Sequence, residues 1–377
     1  MATTLKRYEH IDAVRAIAVM LVVIAHAGLG HLIPGGSGVT IFFAISGFII
    51  TTVLLKEWKK TGRFDIGGFY IRRAVKLVPP LVVALIIPTL IYATLGGVIN
   101  WNAFGGQILF YFNWVKLDHP QVLPGSPVVW SLSIEEQFYI VFAALWLWLV
   151  RSSRTIPWLA GLSVVVIITS TALRFVLADP GNEQAADRIY YGSDTRADSL
   201  AWGILAAIAL YKWQKSGSPR GWFQRISGSQ WALNVAVLVF LVSLVIRDDW
   251  FRQTLRYPLQ STSTCVVILY GFTATPGVVH RVFAAFCRVR LVQLIGLASY
   301  SIYLVHLSII MTIDDLTKKL PLLAHAAIGT ALAVATGYAM YRWIEMPARK
   351  RYEEIRDRRS ERQQRQASAT TPVTPVT

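Results

Sequence analysis

The chain has 377 residues, of which 54% are hydrophobic and only 15% charged, and its mean hydropathy is +0.47. A water-soluble domain normally carries about 25% charged residues, so the composition excludes an ordinary soluble enzyme. The net charge of +16 would suit a nucleic acid partner, but the basic residues lie between apolar runs of roughly 20 residues, where they set membrane topology, and no nucleic acid is expected.

The predicted elements, in chain order, are apolar helices over residues 11–29, 39–55, 77–98, 131–150, 156–177, 197–211, 231–246, 257–275, 291–313 and 322–344. The fold class is therefore an all-α integral membrane protein of about ten transmembrane helices. The first run imitates a secretory signal: Lys6 and Arg7 precede it, and Ala25-His26-Ala27 resembles a cleavage site. Asp12 and Arg15 interrupt that run and another apolar run follows at once, so it is read as a retained span. With both termini cytoplasmic, the basic loops 56–76, 151–154, 212–225 and 281–290 and the basic tail from 349 all face the cytoplasm. Counting the apolar stretch 104–115 as a further span would invert every later loop, so it is expected to dip into the membrane or lie on it. Segments 96–130 and 178–196 are candidate outer lids. The expected organisation is a membrane domain over 1–348 and a cytoplasmic tail over 349–377. The tail starts as a charged helix and ends in Ala, Thr, Pro and Val residues that cannot bury a core.

Cys265 and Cys287 offer neither a disulfide framework nor metal-ligand spacing, so no metal site is expected. Charged groups inside a bilayer cost several kcal/mol and mark function by default. At about 100° per residue, Asp12, Arg15 and His26 share one face of the first span, with His26 about 16 Å beyond Arg15 toward the outside. This stripe suits the wall of a polar channel. A structural Asp12–Arg15 pair with His26 at the interface is the simpler alternative. Glu135 and Glu136 open the fourth span from outside. One of them serves helix capping with Ser131 or Ser133, or Glu135 orients the His26 imidazole or binds an acceptor hydroxyl. Arg196 and Asp198 enter the sixth span, as an interfacial ion pair or as the lining of an acceptor pocket. Arg72, Arg73 and Lys76 fall on adjacent turns of a short helix closing the first cytoplasmic loop. They suit anionic lipid or a ligand with several phosphates. Ser299, Tyr300, Tyr303 and His306 form a polar stripe on the ninth span, structural or substrate-binding.

These residues fall into an ordered set of motifs: Asp12-x-x-Arg15 with Arg15-x10-His26, Gly38-Val39-x-x-Phe42-Phe43-x-x-Ser46-Gly47-Phe48, and the basic segment from Phe69 to Pro79. They continue with Trp130-Ser131-Leu132-Ser133-Ile134-Glu135-Glu136-Gln137-Phe138-Tyr139, Arg196-x-Asp198-x-Leu200-x-x-Gly203, Ser299-Tyr300-Ser301-x-Tyr303-Leu304-x-His306 and Glu345-x-Pro347. In that order they resemble the membrane acyltransferase 3 family, from Tyr8 to about Pro347. The resemblance implies about ten helices, an acyl-CoA donor with acetyl-CoA the first choice, and O-acylation of a cell-envelope glycan, glycolipid or related hydroxyl compound. It makes His26 the essential histidine and Arg15 its motif partner. Arg73 matches the first position of an Arg-x-x-Arg motif whose second position is Lys76 here; lysine keeps the charge and loses the bidentate fork. Some members of that family carry a fused extracytoplasmic domain resembling a hydrolase, and none is expected within these residues. Together with the resemblance, the expected donor site is Arg15, Arg72, Arg73 and Lys76, and catalysis is expected of His26 with Glu135, His26 either deprotonating the acceptor hydroxyl or itself accepting the acyl group for a second step. Substrate contacts fall to Asp12, Arg196, Asp198 and the ninth-span stripe. A proton-coupled transporter or exporter would use similar residue types, but transporters often show two similar halves with broken helices, and no such repeat is evident here.

Overall fold

The computed structural model describes residues 7–369 except 63, 153 and 218–220, with side chains described as far as 358. Lys6 and the final Thr/Pro/Val segment of the tail, 370–377, lie outside the described residues. Every regular element among the described residues is helical. The chain begins with α1 (Glu9–Ile24), a π turn at Ala25–Leu29, α2 (Gly36–Thr61) and α3 (Ile66–Leu81). The Asp65 carboxylate caps α3 by accepting from the Gly68 amide at 2.8 Å. Pro79 and Pro80 lie inside α3 and withhold two amide donors, and a second π turn, Val82–Ile86, follows them before α4 (Ile87–Thr94). The basic segment is thus part of a long helix, Ile66–Thr94, where the sequence suggested a short helix in a loop.

Two short helices follow, α5 (Trp101–Leu109) and α6 (Phe112–Val115). Phe110 between them is left-handed, with φ 60°, so stretch 104–115 is broken and packs beside the bundle. Next come α7 (Trp130–Leu149), α8 (Thr155–Leu177), α9 (Glu183–Tyr191) and α10 (Ser193–Ser216). The third quarter holds α11 (Trp222–Ser227), α12 (Gln230–Val245), α13 (Asp249–Gln253), α14 (Arg256–Thr273) and α15 (Val278–Arg288). The chain closes with α16 (Arg290–Leu297), α17 (Ser299–Thr317), α18 (Leu322–Met340) and, after a third π turn, α19 (Met346–Ala369).

Among the described residues, six helices are long and apolar enough to cross a bilayer, or eight if two bent pairs each count as one span. The bends are 100° between α14 and α15, at the end of the predicted segment 257–275, and 78° between α16 and α17, inside the predicted segment 291–313. α15 exposes Val278, Val282 and Phe286, spaced four apart on one face, the pattern of a helix lying in the membrane interface. The remaining predicted segments are α10, which is long but carries Asp194, Arg196 and Asp198, and α12, with 16 residues. The protein is multi-pass. Its periphery is apolar, with Val165 and Ile168 on α8 and Leu238 and Leu241 on α12 exposed. Its interior holds Arg174, Arg196, Asp198 and Glu345 fully enclosed. That inversion of the soluble pattern is what a lipid solvent requires.

Close packing of α2 on α10 holds this interior together. A Cβ at Gly47 would lie 2.0 Å from the Leu200 carbonyl oxygen, and one at Gly203 would lie 2.1 Å from that of Ala44. Only glycine permits this approach, the device by which membrane helices gain dispersion contact. Gly47→Ala should force the helices apart, costing about 1–3 kcal/mol. Gly161→Ala on α8, where a Cβ would meet nothing within 4 Å, is the control. Thermal unfolding in detergent, followed by size-exclusion, checks it: equal midpoints for the two variants would contradict the packing account.

Candidate active site

Two cavities lie within the bundle, and they share Val39 and Tyr303 as walls. The first, of about 280 Å³, is lined by His26, Trp130, Tyr190, Tyr191 and several apolar side chains. The second, of about 150 Å³, is lined by Arg15, Arg73, Lys76, Glu135, Ser299 and Tyr300, with Phe42, Phe43 and Ser46 from α2. A histidine cavity and a basic cavity thus meet at one tyrosine.

His26 owes its placement to the π turn that ends α1. The turn leaves the helical path at Ala27 and Gly28, and Gly28 has φ 102°, a conformation that disfavours any side chain. A single-turn π bulge of this kind often marks a functional site. His26 is exposed to its cavity. Its Nδ1 lies 2.9 Å from the Val22 carbonyl oxygen and 3.2 Å from Nε2 of His306. His306, on α17, is fully buried, and its Nδ1 lies 2.6 Å from the Tyr303 carbonyl oxygen. The Tyr303 hydroxyl donates to the Val128 carbonyl at 3.0 Å and lies 2.7 Å from Ser131 Oγ, while Phe42 meets its ring edge-on. These anchors fix the partition between the cavities.

The histidine cavity has an aromatic wall. The Trp130 ring lies 4.8 Å from Tyr190 and 5.0 Å from Tyr191. Asn182 caps α9 at the Gln184 and Ala185 amides and so helps set the two tyrosines. Burial pushes the Tyr191 hydroxyl up to about 12, with the Asp187 carboxylate adding to the effect. Burial raises Tyr190 further still, against the opposing Arg196 charge. Both are neutral hydrogen-bonding groups near pH 7.

In the basic cavity Arg15 donates to Ser299 Oγ at 2.9 Å and 3.1 Å. Lys76 has no hydrogen-bond or ion-pair partner among the described residues, and Arg15 has no carboxylate partner there. Arg73 differs. It donates to Glu136 at 2.6 Å, its Nη2 lies 3.3 Å from Glu135, and its guanidinium stacks 3.5 Å above the Tyr139 ring. Glu135 also accepts from Ser46 Oγ and, at 2.9 Å, from the Tyr139 hydroxyl. The Tyr300 hydroxyl donates to the Leu77 carbonyl at 2.9 Å, and Ser301 Oγ donates to buried Glu345 at 2.9 Å.

The structure redistributes several residues grouped by the sequence. Glu135 belongs to the basic cavity, and His26 is held by His306 and Val22 in its place. Asp12 pairs with Arg7 at 2.7 Å and lines neither cavity, and Arg72 is exposed and lines neither. Arg196 and Asp198 are not a pair. Asp198 pairs with Arg174 at 2.7 Å, both fully buried. Arg196 donates to Thr40 and lies 4.1 Å from the Tyr257 ring centroid, behind Tyr190. Arg174 was not singled out in the sequence, although a charge within an apolar run is a signal that could have found it, whereas Tyr190 and Tyr191 carried no signal beyond their place in a long lid.

A family model for an acyltransferase domain matches residues 8–342. The chain belongs to the acyltransferase 3 family. The peptidoglycan O-acetyltransferase OatA of Listeria monocytogenes is 29% identical over 366 residues, covering 92% of this chain and 56% of the relative. The O-acetyltransferase OatA of Staphylococcus aureus is 27% identical over 366 residues, covering 90% and 57%. The chain spans little more than half the length of these relatives. No solved structure matches it. Among the described residues, no group of three His, Cys, Asp or Glu side chains could hold a metal ion.

Proposed function

We propose that this acyltransferase moves an acyl group, acetyl in the first instance, from cytosolic acyl-CoA to a hydroxyl of a cell-envelope glycan or glycolipid. The observation that carries the reading is the meeting of two unlike cavities at Tyr303, one lined by Arg15 and Lys76, neither with a carboxylate partner among the described residues, and the other opening on an imidazole. The names of the relatives support O-acetylation, and that of the Listeria protein points to a surface glycan acceptor.

The donor's phosphates are attracted by Arg15 and Lys76, and its thioester reaches the Tyr303 partition. The acceptor hydroxyl occupies the histidine cavity against Trp130, Tyr190 and Tyr191. His26 takes the hydroxyl proton as the oxygen bonds to the thioester carbonyl carbon. The carbon–sulfur bond breaks, and the imidazolium returns its proton to the departing thiolate. Neutral imidazole suits this cycle because it both takes and gives a proton near pH 7.

This route requires the basic cavity to open to the cytoplasm of the cell membrane and the histidine cavity to open outside. The straight helices, the two bent pairs, α10 and α12 then make about ten spans with both termini inside. Both native cysteines are buried, so a single introduced cysteine reports topology with little background. Arg356→Cys on α19 should react with a membrane-impermeant maleimide only after the cells are opened. Labelling of intact cells would overturn the orientation. The chemistry is tested by mass spectrometry of envelope glycans and lipids from a deletion strain, which should lack one acyl ester that the parent strain carries. An unchanged ester inventory would remove the acceptor class.

A further inference from the structure

The arrangement behind His26 settles which of its nitrogens is the base. The Tyr303 carbonyl can only accept, so His306 Nδ1, 2.6 Å away, carries a proton. Neutral His306 therefore offers Nε2 as an acceptor. That Nε2 lies 3.2 Å from His26 Nδ1, which also faces the Val22 carbonyl at 2.9 Å. Two acceptors converge on one nitrogen, so His26 Nδ1 carries its proton and shares it between them. Nε2 of His26, without a hydrogen-bond partner among the described residues, keeps its lone pair for the cavity. His306 itself does not line that cavity, so it meets neither substrate. The sequence placed His306 among the substrate contacts; the geometry gives it another task.

We propose that His306 is a positioning residue that fixes His26 as the Nδ1–H tautomer and stabilises the imidazolium formed during transfer, a neutral counterpart of the carboxylate behind a catalytic triad histidine. When the acceptor proton moves to His26 Nε2, the positive ring still donates Nδ1–H to His306 Nε2 and to Val22. The same two acceptors hold the ring until the proton passes to the thiolate. His306 is neither protonated nor acylated at any step. The chain from Tyr303 backbone to His306 to His26 also ties the base to the residue whose ring divides the two cavities, so base and partition keep a fixed relation. This inference rests on the proposed role of His26.

The test compares two amides at position 306. In His306→Gln the side-chain oxygen reaches the place of Nε2 and still accepts from His26 Nδ1–H. In His306→Asn the shorter amide takes the place of Nδ1, keeps the bond to the Tyr303 carbonyl, and leaves His26 without that acceptor. Turnover is read as thiol release from acetyl-CoA by the purified protein in nanodiscs, with a total envelope extract as acceptor. The asparagine variant should lose about 10²-fold in kcat with donor KM unchanged. That falls short of the roughly 10⁴-fold loss on replacing a triad's orienting carboxylate, because Val22 still accepts. The glutamine variant should stay within about tenfold of the unchanged protein. Independently of turnover, ¹⁵N spectra of histidine-labelled protein should show His26 protonated at Nδ1 in the unchanged and glutamine proteins and as mixed tautomers in the asparagine protein. Equal turnover in the two variants, or an unaltered His26 tautomer in the asparagine protein, would overturn the proposal. If His26→Asn were itself active, the proposed role of His26 as base would fail, and the role of His306 with it. If that variant is inactive while His306→Asn turns over normally, only the role of His306 fails.

Discussion

His26→Ala and His26→Asn should each lower acyl transfer by about 10²–10⁴-fold, the usual worth of a positioned general base, while donor binding stays unchanged. The two substitutions divide the work of the side chain. Alanine removes the imidazole and leaves His306 Nε2 as a buried acceptor without its donor, which costs about 1–3 kcal/mol of stability. Asparagine places an amide N–H where Nδ1 stood, so Val22 and His306 keep a donor, but it cannot take a proton. The asparagine variant should therefore melt close to the unchanged protein and still transfer almost nothing. The proposed donor site is the basic cavity across Tyr303, which His26 does not line, so calorimetric titration with CoA should give the same dissociation constant for all three proteins. Near-normal turnover in the asparagine variant would mean that the hydroxyl proton leaves by another route.

The membrane character and the course of the long helices were legible because lipid imposes one rule along the whole chain, and apolar runs obey it residue by residue. The breaks were less legible. Leu297 and Ser299 belong to one apolar run, and the 78° bend between their helices arises from tertiary contact. Arg15 of α1 donates to Ser299 at the start of α17, and Gly296 lies so close to Asp12 that a Cβ would come within 2.0 Å of its carbonyl oxygen. The π turns at 25–29 and 82–86 differ from α-helix by one residue, below what periodicity resolves. In the site, the Arg15–His26 spacing was readable because both lie on one helix. His26 and His306 are 280 positions apart, and only the fold brings them together. Glu135 misled for a related reason. Its distance from the start of its helix suggested a depth, but which neighbour it faces depends on the rotation of α7, and it faces Arg73 and Ser46.

Arg73 and Lys76, three residues apart in one basic motif, should fail in opposite ways when neutralised. Arg73 is enclosed by Glu136, Glu135 and the Tyr139 ring, and its side chain is only 17% exposed. Taking it away leaves two carboxylates side by side without their cation. Breaking a buried pair from one side costs about 3–5 kcal/mol, since the abandoned charge remains desolvated. Arg73→Met should therefore lower the thermal midpoint in detergent and reduce folded yield. Adding Glu136→Gln should recover part of the loss, because it removes one of the stranded charges. Lys76 has no such partner among the described residues, and its charge stands beside that of Arg15 in the same cavity. Two like charges, neither in ion-pair contact with a carboxylate among the described residues, repel each other while the donor is absent and, in the proposed reading, are neutralised when its phosphates arrive. Lys76→Met should then leave the midpoint unchanged or raise it, yet weaken CoA binding by about tenfold or more, the value of one charge-assisted hydrogen bond of about 1.5–3 kcal/mol. Melting curves and CoA titrations on the same preparations decide the matter. If Arg73→Met melted normally and lost CoA, its guanidinium would be a donor ligand and the carboxylates beside it spectators. If Lys76→Met unfolded with CoA affinity intact, the lysine would be holding a structural contact and the donor site would rest on Arg15 alone.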